Sequence, residues 1–204
     1  MLQYQTLDPG TLHLLKELQA IPALKQTRLV GGTSLALQLG HRKSVDLDLF
    51  GYVPASSLEI LESIHDGHTL QIIQDSKNIH VFQLDGVKVD IVNYRYGWID
   101  SPINEDGISL ATPKDIAAMK IAAIIGRGTK KDFIDLYFLL RCFPLQKILD
   151  FYLEKYPDGS LFIALKSLTY FEDAEQDPMP FMLQEVEWPS VKETIKNCVV
   201  SYDL

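Results

Sequence analysis

The run HVFQLDGVKVDIVNY (His80 to Tyr94) constrains the fold more than any other stretch of the chain. Two segments rich in β-branched, aliphatic and aromatic residues flank Asp85-Gly86, a pair suited to a two-residue type I′ turn. The chain therefore contains a hairpin and the sheet it belongs to. In this register Val87, Val89 and Ile91 share one face, and Lys88, Asp90 and Val92 share the other.

Other segments carry helical or strand signals. Leu12, Leu14, Leu15 and Leu18 form a helical stripe that Pro22 ends. Arg28 to Val30 reads as a short strand running into Gly31-Gly32. Thr33 to Leu39 reads as a helix stopped by Gly40, and SVDLDLF (Ser44 to Phe50) alternates with the period of a half-buried strand. Ser56 to Glu59 is a capping-box signature for a helix ending near Gly67. Beyond residue 110 the pattern turns helical. Thr112-Pro113 starts a helix that Gly126 and Gly128 break, and a second runs from about Lys130 to Cys142, stopped by Pro144. Further helices are expected in 145–155, 160–170 and 190–200. These assignments give an α+β fold with two parts, a core over 1–110 and a helical C-terminal region over 111–204 packed on it.

Composition narrows the function. Hydrophobic residues make up 47% and charged residues 23% of 204 positions, which is globular rather than disordered. The longest aliphatic run, Ile121 to Ile125, is far below the ~20 residues of a membrane span. The N-terminus shows no basic lead before an apolar block, so a cytoplasmic location is expected. Cys142 and Cys198 lie far apart, which suits reduced thiols in inert buried packing. With 19 basic against 27 acidic side chains the net charge is −8. A polyanion must then be met by a local basic patch, not by an overall field.

Two aspartates separated by one leucine carry the chemistry. On a strand Asp46 and Asp48 point the same way, with Cβ atoms roughly 6.5–7 Å apart at ~3.3 Å rise per residue. Like charges side by side repel, and a divalent cation bound by oxygen ligands offsets that repulsion. Two such ions clamp the attacking and leaving oxygens of a phosphoryl transfer. Asp90, on the polar face of the hairpin, is the candidate third carboxylate. Upstream, Gly31-Gly32 between a strand and a helix start lets backbone amides approach a phosphate, with the Thr33 and Ser34 hydroxyls nearby. Arg42 and Lys43 are candidate phosphate contacts. Lys120 and Arg127, two helical turns apart, share a face suited to a triphosphate or a nucleic-acid backbone. Asp132 sits where a carboxylate caps a helix start, and Asp135, one turn on, either tethers Lys120 or Arg127 or faces solvent. His65 and His68 read as surface residues, and Trp98 and Trp188 as packing anchors.

VGGTSLALQLGHRKSVDLDLF resembles the motif of the DNA polymerase β-like nucleotidyltransferases: an apolar residue, two small residues, a spacer, then Asp-apolar-Asp-apolar. With Arg42-Lys43-Ser44 before the aspartates it is similar to the AbiEii/AbiGii toxin family within that group. TPKDIAAMKIAAIIGRGTKKDFIDLYFLL (Thr112 to Leu140) resembles the family's later motif, and the likeness covers about 28–140. The resemblance implies a polymerase β-like fold, with a small mixed sheet flanked by helices and a helical C-terminal part. It implies transfer of a nucleoside monophosphate from an NTP with Mg2+. It places Gly31, Gly32 and Ser34 on the phosphate loop, Asp46 and Asp48 on the metal pair, and Asp90 as the third ligand. Ser44 falls beside the site, and Lys120, Arg127, Asp132 and Asp135 fall on the later motif. It also implies tRNA as one acceptor and a cognate antitoxin as partner. Two alternatives stay open: a small-molecule, aminoglycoside-type nucleotidyltransferase, and a non-catalytic nucleotide-binding or antitoxin-binding module.

Overall fold

The structure, a computed structural model, describes residues 1–64 and 67–202. His65, expected at the surface, lies outside the described residues. The chain divides into two compact units, one of residues 1–38, 43–95 and 102–111, the other of residues 39–42, 96–101 and 112–204. No helix among the described residues is long and apolar enough to cross a membrane.

The first unit runs α1 (Pro9–Ala20), β1 (Thr27–Leu29), α2 (Gly31–Leu39), β2 (Leu47–Gly51), α3 (Ser57–Glu62), β3 (Leu70–Asp75), β4 (Ile79–Leu84), β5 (Val87–Asn93), β6 (Ile103–Glu105) and β7 (Ile108–Leu110). The strands form one mixed sheet in the order β3-β4-β5-β2-β1-β7-β6. β2 is parallel to β5, β1 is parallel to β7, and the remaining pairs are antiparallel. The central hairpin forms as its sequence dictates. Leu84 faces Val87, and Asp85 and Gly86 both take positive φ, 49° and 82°, as a type I′ turn requires.

One face of this sheet is apolar. Leu47, Leu49, Phe82, Leu84, Val89 and Ile91 are fully buried with Leu15 and Leu18 of α1. Each such side chain contributes roughly 1.5–3 kcal/mol by leaving water. Because strand side chains alternate, burying these residues turns Asp48, Lys88 and Asp90 to the opposite face.

Three local expectations change. The hairpin β6–β7 turns on Asp106-Gly107, again with positive φ at both residues, 53° and 79°, and sequence reasoning passed over it. Helix α3 stops at Glu62 instead of near Gly67, where the Ser63 hydroxyl donates to the Glu59 carbonyl (2.8 Å). Cys142 is exposed and Cys198 only half-buried, both as free thiols. Inert buried packing is therefore wrong for Cys142, which follows the last turn of its helix and lies outside the packed face.

The second unit contains α4 (Pro113–Gly126), α5 (Lys130–Leu140), α6 (Leu145–Lys155), α7 (Leu161–Leu168), α8 (Glu172–Glu175) and α9 (Trp188–Val200). Thr112 caps α4 by accepting from the Asp115 amide, and Pro113 occupies the first helical position, where no intrahelical donor is needed. α4 packs against α5, α6 and α7, burying Ile116, Ala117, Ala118, Ile121 and Ile124. Two charges are buried with them. Lys155 Nζ reaches Asp115 Oδ1 at 2.8 Å and the Gly97 carbonyl at 2.9 Å, and lies 4.4 Å from the Trp98 ring centre. Trp188 meets Phe133 and Phe171 edge-on, so both tryptophans anchor packing.

Candidate active site

The first unit builds its polar face around the junction of β1 and α2. Val30 donates its amide to the Asp48 carbonyl (2.8 Å), which fixes the chain just before the helix to β2. Gly31 then takes φ +66°, and a Cβ placed there would lie 3.3 Å from Asp48 Cγ and nearer still to Oδ2. Glycine is required twice, for the left-handed backbone and for the carboxylate seated against its Cα. α2 begins at Gly31, so the amides of Gly31 and Gly32 belong to a first turn, which lacks intrahelical acceptors.

Asp46 immediately precedes β2 and Asp48 lies within it. Both are half-buried, on either side of the fully buried Leu47. The parallel register sets Asp48 opposite Asp90, with the buried pairs Leu47–Val89 and Leu49–Ile91 on the other face. Asp90 therefore shares the face of Asp48. Lys88 Nζ contacts both Asp90 oxygens at 2.6 Å. This partner was missed, although the alternation already put Lys88 and Asp90 on one face.

The hydroxyls play other parts. Thr33 is buried, donates to the Asp46 carbonyl and pairs with the Ser44 hydroxyl (2.8 Å). Ser34 is fully buried and its hydroxyl accepts from Gln38 (3.1 Å). Read from the sequence as phosphate donors, Thr33 and Ser34 instead have their hydroxyls engaged within the protein, Thr33 by pinning the chain that enters the aspartate pair. Ser44 is held beside it, with its amide on the Thr6 carbonyl (3.0 Å).

Carboxylate oxygens are the ligands a hard divalent cation takes, and Asp48, seated against Gly31, shares one face with Asp90 while Asp46 lies just before the strand. The carboxylates are not yet gathered, since among the described residues no three His, Cys, Asp or Glu side chains are placed to hold one ion. Beside Asp46 a cavity of about 450 Å³ opens between Asp8, His13, Leu14, His68, Asp85 and Lys88. His68 is no loose surface residue, for its two ring nitrogens contact Asp85 (2.6 Å) and Glu17 (3.1 Å). The Asp85 carboxylate raises the His68 pKa, against the effect of partial burial.

The second unit holds the remaining candidates in a buried chain of alternating charges. Lys120 Nζ lies 2.9 Å from Asp132 and 2.6 Å from Asp135. Asp135 also accepts two bonds from Arg42 (2.7 and 2.9 Å) and pairs with His41 Nε2 (2.8 Å). Asp132 accepts from Arg127 Nε (3.0 Å) and from the Thr129 hydroxyl (2.6 Å). Burial alone would push both carboxyls up, but Lys120, aided by Arg127 at Asp132 and Arg42 at Asp135, holds them well below the usual range. Burial likewise opposes the charge on Lys120, and the two carboxylates reverse this and raise its pKa. Lys120 is an ammonium at neutral pH, not a base. Its side chain is 5% exposed, whereas that of Arg127 is 61% exposed. Arg127 is the cation of this set that reaches solvent. His41, whose Nδ1 has no hydrogen-bond partner, carried no signal in the sequence.

Residues 13–198 match the family model described as nucleotidyl transferase AbiEii toxin, type IV toxin–antitoxin system. An uncharacterized protein of Aquifex aeolicus is 38% identical over 182 residues, covering 85% of this chain and 86% of that one. A putative nucleotidyltransferase of H. pylori shares the fold with a TM-score of 0.60 at 20% identity, over 95% of this chain and 94% of its own. MenT4, a nucleotidyltransferase toxin of Mycobacterium tuberculosis, does so at 0.59 and 17% identity, over 94% and 83%. The chain has the α+β nucleotidyltransferase fold, belongs to the AbiEii nucleotidyltransferase toxin family, and is a transferase.

Proposed function

We propose that this enzyme moves a nucleoside monophosphate from an NTP to an acceptor hydroxyl, with Mg2+, at the carboxylate face of the first unit. The observation that carries this reading is the in-register placement of Asp48 against Asp90, with Gly31 pressed on Asp48. Residues 1–110 are read as the catalytic core and 111–204 as its helical complement.

The amides of Gly31 and Gly32 seat the triphosphate at the start of α2, where the helix dipole favours negative charge. Thr33 fixes the approach of the chain to Asp46, so the carboxylates meet the phosphates at a set position. Asp46, Asp48 and Asp90 are the residues that would hold magnesium, which when bound supplies Lewis acidity and neutralises phosphate charge. The acceptor oxygen bonds to the α-phosphorus as the bond to the pyrophosphate oxygen breaks. The hydroxyl proton passes to Asp90 or to water, and Lys88 Nζ stands 2.6 Å from Asp90 Oδ1 in the ligand-free arrangement. Positioning and charge do most of the work. In the second unit, Lys120, Arg42, Asp132 and Asp135 serve as a buried frame for α4 and α5, and Arg127 offers an exposed contact to an anion.

The acceptor has two readings. The motif resemblance implies a cellular RNA such as tRNA as acceptor, and membership of a toxin–antitoxin family supports an antitoxin as partner. The cavity beside Asp46 lends specific support to a polycationic small molecule, because Asp8, Asp46 and Asp85 line it together.

Asp46→Ala tests the site. Asp46 is half-exposed, so the ligand-free melting temperature should move by no more than ~2 °C, the range of a surface change of ~0.5 kcal/mol. The rise in melting temperature that Mg2+ plus NTP gives the wild type should vanish. Full retention of that rise would remove Asp46 from the site.

A further inference from the structure

Building on the nucleotidyl-transfer reading, we propose that Phe50 and Tyr94, with Arg28 beside them, form a shelf on which the terminal base of a single-stranded polynucleotide acceptor stacks. Side chains on β2 alternate, so Phe50 faces the same side as Asp48, two positions earlier. The register sets Phe50 between Arg28 of β1 and Val92 of β5. Cross-strand partners share a face, so Arg28 and Val92 lie there too. Tyr94 follows β5 and donates its amide to the Gly51 carbonyl (2.8 Å). Its ring centre lies 5.4 Å from that of Phe50, with the planes tilted by 43°, which puts Tyr94 on the carboxylate face as well. Arg28, Phe50, Val92 and Tyr94 are each half-buried, so part of every one meets solvent.

The strands set an order along this face. Gly31 and Asp46 lie at one end, the pair Asp48–Asp90 follows, and Phe50 with Arg28 and Val92 comes next. A triphosphate seated at the start of α2 occupies the first end, so the acceptor enters from the other. Phe50 lies roughly 6.5–7 Å beyond Asp48 at ~3.3 Å rise per residue, a step that a ribose bridges between its base and its hydroxyl. A terminal nucleotide with its base on the rings therefore brings its hydroxyl to the carboxylates, where Asp90 stands to take the proton.

Ring chemistry and charge together select the occupant. A base stacks on an aromatic face whatever its sequence, and a cation beside the ring suits the phosphodiester that leads to it. Arg28 supplies that cation in register with Phe50. The chain carries a net charge of −8, so a polyanion is held by local contacts of this kind, with Mg2+ offsetting the carboxylates. A polycationic acceptor would meet Arg28 as a like charge. Two rings that served packing alone would do so equally well as leucines.

An oligoribonucleotide carrying 2-aminopurine at its 3′ end, a base whose fluorescence stacking quenches, tests this with Mg2+ present and NTP absent. The full chain should quench it, and the same strand with an abasic 3′ end should bind about 5- to 150-fold more weakly, the range for one stacked base. Phe50→Leu and Tyr94→Leu keep the apolar volume. Each should weaken binding within that range and leave the KM for NTP at its wild-type value. Arg28→Met should lower the salt slope of binding by about 0.7. Phe162→Leu, at an exposed ring of the second unit, should bind as the wild type does. Equal binding of the abasic and complete strands overturns the proposal on the wild type alone, whether or not a variant folds. Full binding by both leucine variants overturns it too, as does a raised KM for NTP with oligonucleotide binding unchanged, which would give the rings to the donor's base. Quenching is read without NTP, so its failure leaves the nucleotidyl-transfer reading standing, and failure of that reading shows instead as acceptors that take no label.

Discussion

Gly31→Ala separates a tuned site from a chance cluster of carboxylates. Alanine at φ +66° costs about 1–2 kcal/mol for the left-handed backbone. In a chain of this length that lowers the melting temperature by about 2–8 °C. The new methyl would also meet the Asp48 carboxyl, whose Cγ lies 3.3 Å from the ideal Cβ position with Oδ2 closer. Restoring an ordinary separation of ~3.5 Å moves that oxygen by roughly 1 Å. A displacement of that size at a reacting centre costs about 10²-fold in rate. The assay pairs thermal melting with transfer from labelled NTP, and activity should fall far more than the stability loss explains. Gly126→Ala is the control, because its Cβ meets open space and its φ is not positive. It should gain up to ~1 kcal/mol and keep its activity. Transfer by Gly31→Ala at the wild-type rate would refute the seating of Asp48 against the glycine.

Two other outcomes follow from the charges. Lys120→Met leaves Asp132 and Asp135 buried with one cation fewer, so it should destabilise by about 3–5 kcal/mol, a fall of more than ~6 °C; wild-type melting would contradict the frame role of Lys120. His68 has its pKa raised by Asp85 and Glu17, so its stabilisation is complete below the unfolded value of about 6.5 and is lost as pH rises through the higher folded value. The melting difference between wild type and His68→Gln should therefore be largest near pH ~5.5 and shrink towards pH ~8.5, and a flat difference would contradict the bridge.

Much of the fold was legible where the cause is local. Asp85-Gly86 specifies its turn by backbone conformation alone, and Thr112-Pro113 specifies a helix start by hydrogen-bond supply. Alternation also placed Asp90 on the polar face, and the parallel register joined it to Asp48. The β6–β7 hairpin escaped notice although it carries the same Asp-Gly pair, because three-residue strands are too short to show a period. The buried ions escaped for a different reason. Lys155 reaches Asp115 across forty positions, and Arg42 reaches Asp135 across ninety-three. A sequence lists their charges without the fold that pairs them. Lys120 and Arg42 accordingly looked like phosphate contacts until burial showed their charges already matched. Lys88 was visible on the face of Asp90, but pairing at i and i+2 on a strand competes with metal binding, and the pattern cannot rank the two.

The most direct test of the catalytic claim follows the label. The wild type and Asp48→Asn are incubated with Mg2+ and NTP labelled at either the α- or the γ-phosphate, together with total RNA, aminoglycosides or the protein alone. Nucleotidyl transfer predicts that α-label enters an acceptor, that γ-label leaves as pyrophosphate, and that Asp48→Asn transfers neither. Label passing from the γ position, or undiminished α-transfer by Asp48→Asn, would contradict the assignment of this carboxylate face as the site of reaction.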